Sequence, residues 1–104
     1  MPLLRLLSLV ILTGLFGCSS EPDPANQDGK ELYSYYCAGC HKESGDGSFL
    51  QGIPANNRTE FSAAELVDVI RTGHPDLPDM PHFSQLSRMQ ASAIAQHLQR
   101  QLKE

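Results

Sequence analysis

The stretch Cys37-Ala38-Gly39-Cys40-His41 constrains this chain more than any other. Two thiols three residues apart, followed at once by an imidazole, form the pattern by which a c-type haem is attached. A helical turn puts Cys37 and Cys40 on one side, close enough to add to the two vinyl groups of a single porphyrin. His41 then falls beneath the iron, where a neutral imidazole supplies the proximal ligand. Two other chemistries use paired cysteines. A redox dithiol sits beside a βαβ pattern, and no such pattern surrounds Cys37. A zinc site needs four ligands, and His74, His82 and His97 are scattered with no second Cys-x-x-Cys pair.

With 104 residues there is room for one domain, and part of that length is a leader. Arg5 precedes an apolar run from Leu6 to Phe16, the layout of a secretory signal peptide over residues 1–17. The run is shorter than the roughly 20 apolar residues of a membrane span. Its end, Leu15-Phe16-Gly17-Cys18, resembles a bacterial lipobox, and that resemblance implies an acyl lipid such as palmitate on Cys18. An ordinary signal peptide cut near Ser19 or Ser20 is the alternative, since Phe16 is bulkier than the pattern expects. Ser19 stands where inner-membrane lipoproteins often carry Asp, so sorting favours an outer membrane facing the periplasm.

The three cysteines are then all assigned: Cys18 to lipid, Cys37 and Cys40 to haem, none to a disulfide. An oxidising, extracytoplasmic compartment suits this usage. Loss of Arg5 with the leader moves the net charge from −4 to −5. No Lys/Arg cluster tracks a phosphate backbone, which disfavours nucleic acid as a partner. Residues 18–28, with Pro22 and Pro24 and no apolar periodicity, read as an extended tether reaching a few tens of ångströms.

The domain proper is expected over residues 29–104, all α. Asp28 and Glu31 form a candidate capping box for a first helix, with Leu32, Tyr33, Tyr36, Cys37 and Cys40 on one face. Gly45, Gly47 and Gly52 mark a loop in which Phe49 and Ile53 are expected to line the cofactor pocket. Ser62 and Glu65 start a second helix, with Phe61 and Leu66 as a hydrophobic staple, Leu66, Val69 and Ile70 inward, and Gly73 as its stop. Ser87 and Gln90 repeat the capping device, and Ala91, Ile94, Ala95, Leu98 and Leu102 form one apolar stripe, read as core. So small a core needs its cofactor, and the apo-protein is expected to be largely unfolded.

Between those helices lies a loop stiffened by Pro75, Pro78 and Pro81. Pro81 restricts Met80 to extended geometry, so its thioether is available to iron instead of joining a helix. From Gly29 to Leu102 the chain resembles the class I cytochrome c family. The resemblance is carried by Gly29-Lys30-Glu31-Leu32-Tyr33 leading into the Cys37–His41 motif, by the Gly-rich loop, by Met80-Pro81-x-Phe83, and by Leu86-Ser87 opening the last helix. It implies a small domain of about three to four helices around one haem c, with Met80 as the distal iron ligand. His74 and His82 are the competitors, while Met89 lies in a helix's first turn. The resemblance also implies that the Pro54 carbonyl accepts a hydrogen bond from His41. Arg58 and Arg71 are open either to haem propionates or to solvent.

Two protein ligands close the iron's coordination shell. The function expected is therefore a monomeric one-electron carrier, not an enzyme, held to the membrane by lipid and docking transiently with redox partner proteins. The rival is a haem sensor or small haem enzyme in which Met80 is displaced.

Overall fold

The computed structural model describes residues 20–102, so the leader expected over residues 1–17 and the lipidation expected at Cys18 both lie outside the described residues. Among those described, four α-helices and no strand are present: α1 Gly29–Tyr36, α2 Ala38–His41, α3 Ala63–Thr72 and α4 Arg88–His97. A π-helical turn, Leu98–Leu102, prolongs α4, and a short 3-10 turn spans Phe49–Gln51.

Helix α1 begins where expected but is capped differently. The Asp28 carboxylate accepts from the Lys30 and Glu31 amides at 3.1 and 3.2 Å. Glu31 does not reach back. Asn26 takes its place: Asn26 Oδ1 accepts from the Asp28 amide at 2.7 Å, and Asn26 Nδ2 donates to Glu31 at 2.6 Å. An amide that both accepts and donates can serve both neighbours, so the reciprocal box becomes a three-residue relay. The helix stops at Cys37 and a new single turn carries Ala38–His41. That break leaves Leu32, Tyr33 and Cys37 buried and places Cys40 on the next helical turn.

Both predicted capping boxes are present on α3 and α4. Ser62 and Glu65 exchange bonds of 2.8 and 3.1 Å, and Ser87 and Gln90 bonds of 3.1 and 3.0 Å. Gly73 ends α3 with φ +86°, a region costly for any residue with a Cβ. Helix α4 packs on both α1 and α3, and its stripe Ala91, Ile94, Ala95 and Leu98 is buried. Gly29 permits the α1–α4 crossing, because a Cβ there would stand 2.1 Å from the Ala93 carbonyl oxygen. Each buried Leu, Ile or Val adds about 1.5–3 kcal/mol by leaving water.

Residues before Asp28 are more ordered than a free tether. Gln90, buried at the start of α4, donates through Nε2 to the carbonyls of Asp23 and Asn26 at 3.3 and 3.1 Å. Tyr36 donates to the Glu21 carboxylate at 3.1 Å. Composition marked this stretch as polar linker because Gln90, its buried partner, lies more than sixty residues away, on α4.

Candidate functional site

Helix α2, the loop 51–56, the inner face of α3, the segment 76–80, Ile94 of α4 and Leu98 of the turn that prolongs it surround a cavity of about 600 Å³. That volume lies within the range of about 300–1,000 Å³ usual for small-molecule and cofactor sites. Its walls are mostly apolar, with Ile53, Leu66, Val69, Ile70, Ile94 and Leu98 among them. Ile94 and Leu98 belong to the buried core stripe, as expected, and also wall the cavity.

Cys37, Cys40 and His41 all line this cavity. Burial pushes the Cys37 thiol up to about 12, with the neighbouring Cys40 adding to the rise. A redox dithiol needs the opposite, a thiol lowered towards neutrality. Cys37 is therefore a buried thiol and not an activated thiolate.

His41 is held by one directed contact, its Nδ1 lying 3.1 Å from the Pro54 carbonyl oxygen. A carbonyl can only accept, so Nδ1 carries the proton and Nε2 keeps its lone pair. Burial lowers the His41 pKa from its ordinary value, and the Pro54 contact opposes that in part. A neutral imidazole with a fixed tautomer is the form that ligates metals.

The Pro54 carbonyl can come so near because of Gly47. At φ +70°, Gly47 lies against the chain beyond it, and a Cβ there would stand 2.5 Å from the Ile53 oxygen and 2.6 Å from that of Pro54. Below His41, Lys42 adopts φ +69° and ψ 157°, the only non-glycine residue at positive φ among those described. The buried Tyr33 hydroxyl donates to the Lys42 carbonyl at 2.7 Å and holds it there. Sequence reasoning missed Lys42, since nothing in its chemistry marks that backbone geometry.

Met80 lines the same cavity. Two successive turns bring it there, with the Leu77 amide donating to the His74 carbonyl at 2.9 Å and the Met80 amide to that of Leu77 at 3.2 Å. Met80 also faces a second, open pocket of about 270 Å³, and there His74 and His82 join it. Neither histidine lines the larger cavity. The His74 Nδ1 accepts from the Asp76 amide at 3.0 Å, and its ring packs on Phe61.

Three further expectations are adjusted. Ile53 lines the cavity but Phe49 does not; it is 95% exposed. Ser48 and Ile53 pair across the base of the loop, so the residues between them protrude. Arg71 donates through Nε to the Leu86 carbonyl at 2.9 Å, and neither it nor Arg58 lines the cavity. Asp76 and Asp79 do line it, a pair that the sequence reading passed over as loop residues.

These residues fit a covalently attached haem: an apolar enclosure, two thiols and an imidazole with a committed Nδ1. Residues 24–98 match the family model described as cytochrome C oxidase, cbb3-type, subunit III. No curated protein matches the chain.

Proposed function

The chain belongs to this cytochrome c family, whose cofactor is covalently bound haem c, and on that premise we propose a one-electron carrier with His41 and Met80 as axial ligands and Cys37 and Cys40 as thioether attachments. Bound haem supplies Fe(III)/Fe(II) exchange. The protein's part is to hold the site still. Pro54 fixes the His41 tautomer, so Nε2 stays available in both redox states. The apolar walls keep water away and limit the rearrangement that accompanies a change of charge.

The observation that carries the reading is the sorting of side chains between two pockets. Cys37, Cys40, His41 and Met80 share the large cavity, while His74 and His82 share only the small open one. A thioether opposite an imidazole gives a higher potential than two imidazoles do. Ferric holoprotein should show the weak red absorption band of methionine sulfur. Met80→Ala should abolish it, and His74→Ala and His82→Ala should leave it intact. Retention of the band in Met80→Ala would remove Met80 from the iron. Rapid carbon monoxide binding by the reduced protein at neutral pH would favour a sensor or small haem enzyme instead.

The membrane side of the proposal rests on residues 1–17 as a signal peptide and on Cys18 as the acylated residue. No helix among the described residues is long and apolar enough to cross a membrane. A lipid chain would then concentrate the carrier near membrane-bound donors and acceptors on the extracytoplasmic face. Intact mass of the mature protein tests this, and Cys18→Ser should move it from the membrane fraction to the soluble one.

A further inference from the structure

Phe49 and Leu50 are the most exposed large apolar side chains among the described residues, at 95% and 94%. They do not sit on a loose loop. Ser48 and Ile53 exchange two backbone hydrogen bonds of 2.9 Å at its base, the Gln51 amide donates to Ser48 at 3.2 Å, and the Gly52 amide to Phe49 at 3.1 Å. Gly52 closes the turn at φ +74°. A tip built in this way has little conformational freedom to lose on binding, so its apolar area converts more fully into affinity.

Position gives the tip its use. The next three residues, Gln51, Gly52 and Ile53, line the large cavity, while Phe49 and Leu50 do not. Anything seated on the tip is brought beside the cofactor's enclosure. Charge then selects among occupants. Asp76 and Asp79 line that cavity, no Lys or Arg does, and the chain carries a net charge of −4. Anionic lipid is repelled by such a face, and a protein surface with a cationic rim is attracted.

We propose that Phe49 and Leu50 form a docking knob that enters an apolar depression rimmed by Lys or Arg on a redox partner protein. The proposal rests on the electron-carrier reading. Its test uses holoprotein on gold electrodes coated with alkanethiol layers of three kinds: mixed methyl and ammonium, ammonium alone, and hydroxyl. Each electrode exchanges one electron with the haem iron, so the voltammetric charge counts seated molecules. The mixed layer should hold the most protein. Phe49→Ser with Leu50→Ser should lower coverage there at least about tenfold and leave coverage on the ammonium layer unchanged. An equal loss on both layers, or no loss on the mixed one, would overturn the knob.

Two binding assays decide the rival occupants. Cys18→Ser holoprotein that binds zwitterionic vesicles through Phe49 would put the tip in a bilayer and overturn the proposal. Sedimentation as a dimer that the double variant dissolves would assign the tip to a second copy and overturn it likewise. Titration with a small soluble mediator separates the two levels. Loss of a reversible couple there removes the carrier reading itself, whereas an intact couple with knob-independent coverage removes only the docking site.

Discussion

His41 and Met80 reach one cavity from regions secured in different ways. Around His41 the contacts are directed and long-range: Pro54 holds the imidazole, Gly47 lets Pro54 approach, and Tyr33 holds Lys42 from below. Around Met80 they are local. Two turns and the flanking Pro78 and Pro81 set its course, and its side chain borders the small open pocket as well as the large cavity. The His41 arm is therefore built into the core, and the Met80 arm is laid across it. A fault on the first should spread into folding, whereas a fault on the second should stay local to the cavity.

The largest effect expected is loss of the cofactor itself. Cys37→Ser with Cys40→Ser should give a haem-free chain that loses most of its helical far-ultraviolet signal, because α2, α3 and α4 would then border an empty apolar space. A cooperative, holo-like melt of that chain would show the helices to be self-sufficient. Next in size, Gly47→Ala should cost about 2–4 kcal/mol in denaturant titrations, from strain at positive φ and displacement of Pro54. Met80→Ala should cost less than Gly47→Ala in the same titration while removing the red band. If the order of those two variants is reversed, the contrast between the arms is wrong.

A smaller effect concerns His97, which is buried and packs against Tyr33 at 5.3 Å. Burial, helped by Lys30, lowers its pKa from the ordinary 6.5. A group depressed in the folded state stabilises fully above its unfolded pKa, and that contribution is lost as pH falls through the folded one. Melting temperature should therefore drop as pH is lowered from 7 towards 5, and His97→Gln should flatten that part of the profile. Smallest is Lys42→Gly, expected to stabilise by about 1 kcal/mol because glycine accepts the positive φ without strain. A destabilised Lys42→Gly would mean that the lysine side chain itself supports the His41 arm.

Much of this was legible in sequence where the signal is local. The boxes at Ser62/Glu65 and Ser87/Gln90 depend on residues three apart, and both form. At Asp28 the same rule was only half right, because Asn26 lies outside the four-residue frame that the rule inspects. Phe49 was placed inside for its hydrophobicity, yet the pairing of Ser48 with Ile53 turns it out. Hydrophobicity says what a side chain prefers; loop closure decides whether it can comply. Residues 21–27 read as solvated tether, since no periodicity announces a partner, but Gln90 supplies one from α4.

By itself the sequence determined the cofactor, because thioether attachment needs two thiols at one spacing and a histidine beside them, and all three are contiguous from Cys37 to His41. It determined the all-α character too, through caps and apolar stripes set by helical periodicity. Tertiary structure alone decided that Met80, and neither His74 nor His82, borders the cavity of His41, and that Pro54 orients the imidazole. Those outcomes join residues brought together only when α3 and α4 close over the motif, and spacing along the chain carries no record of distance across a packed core.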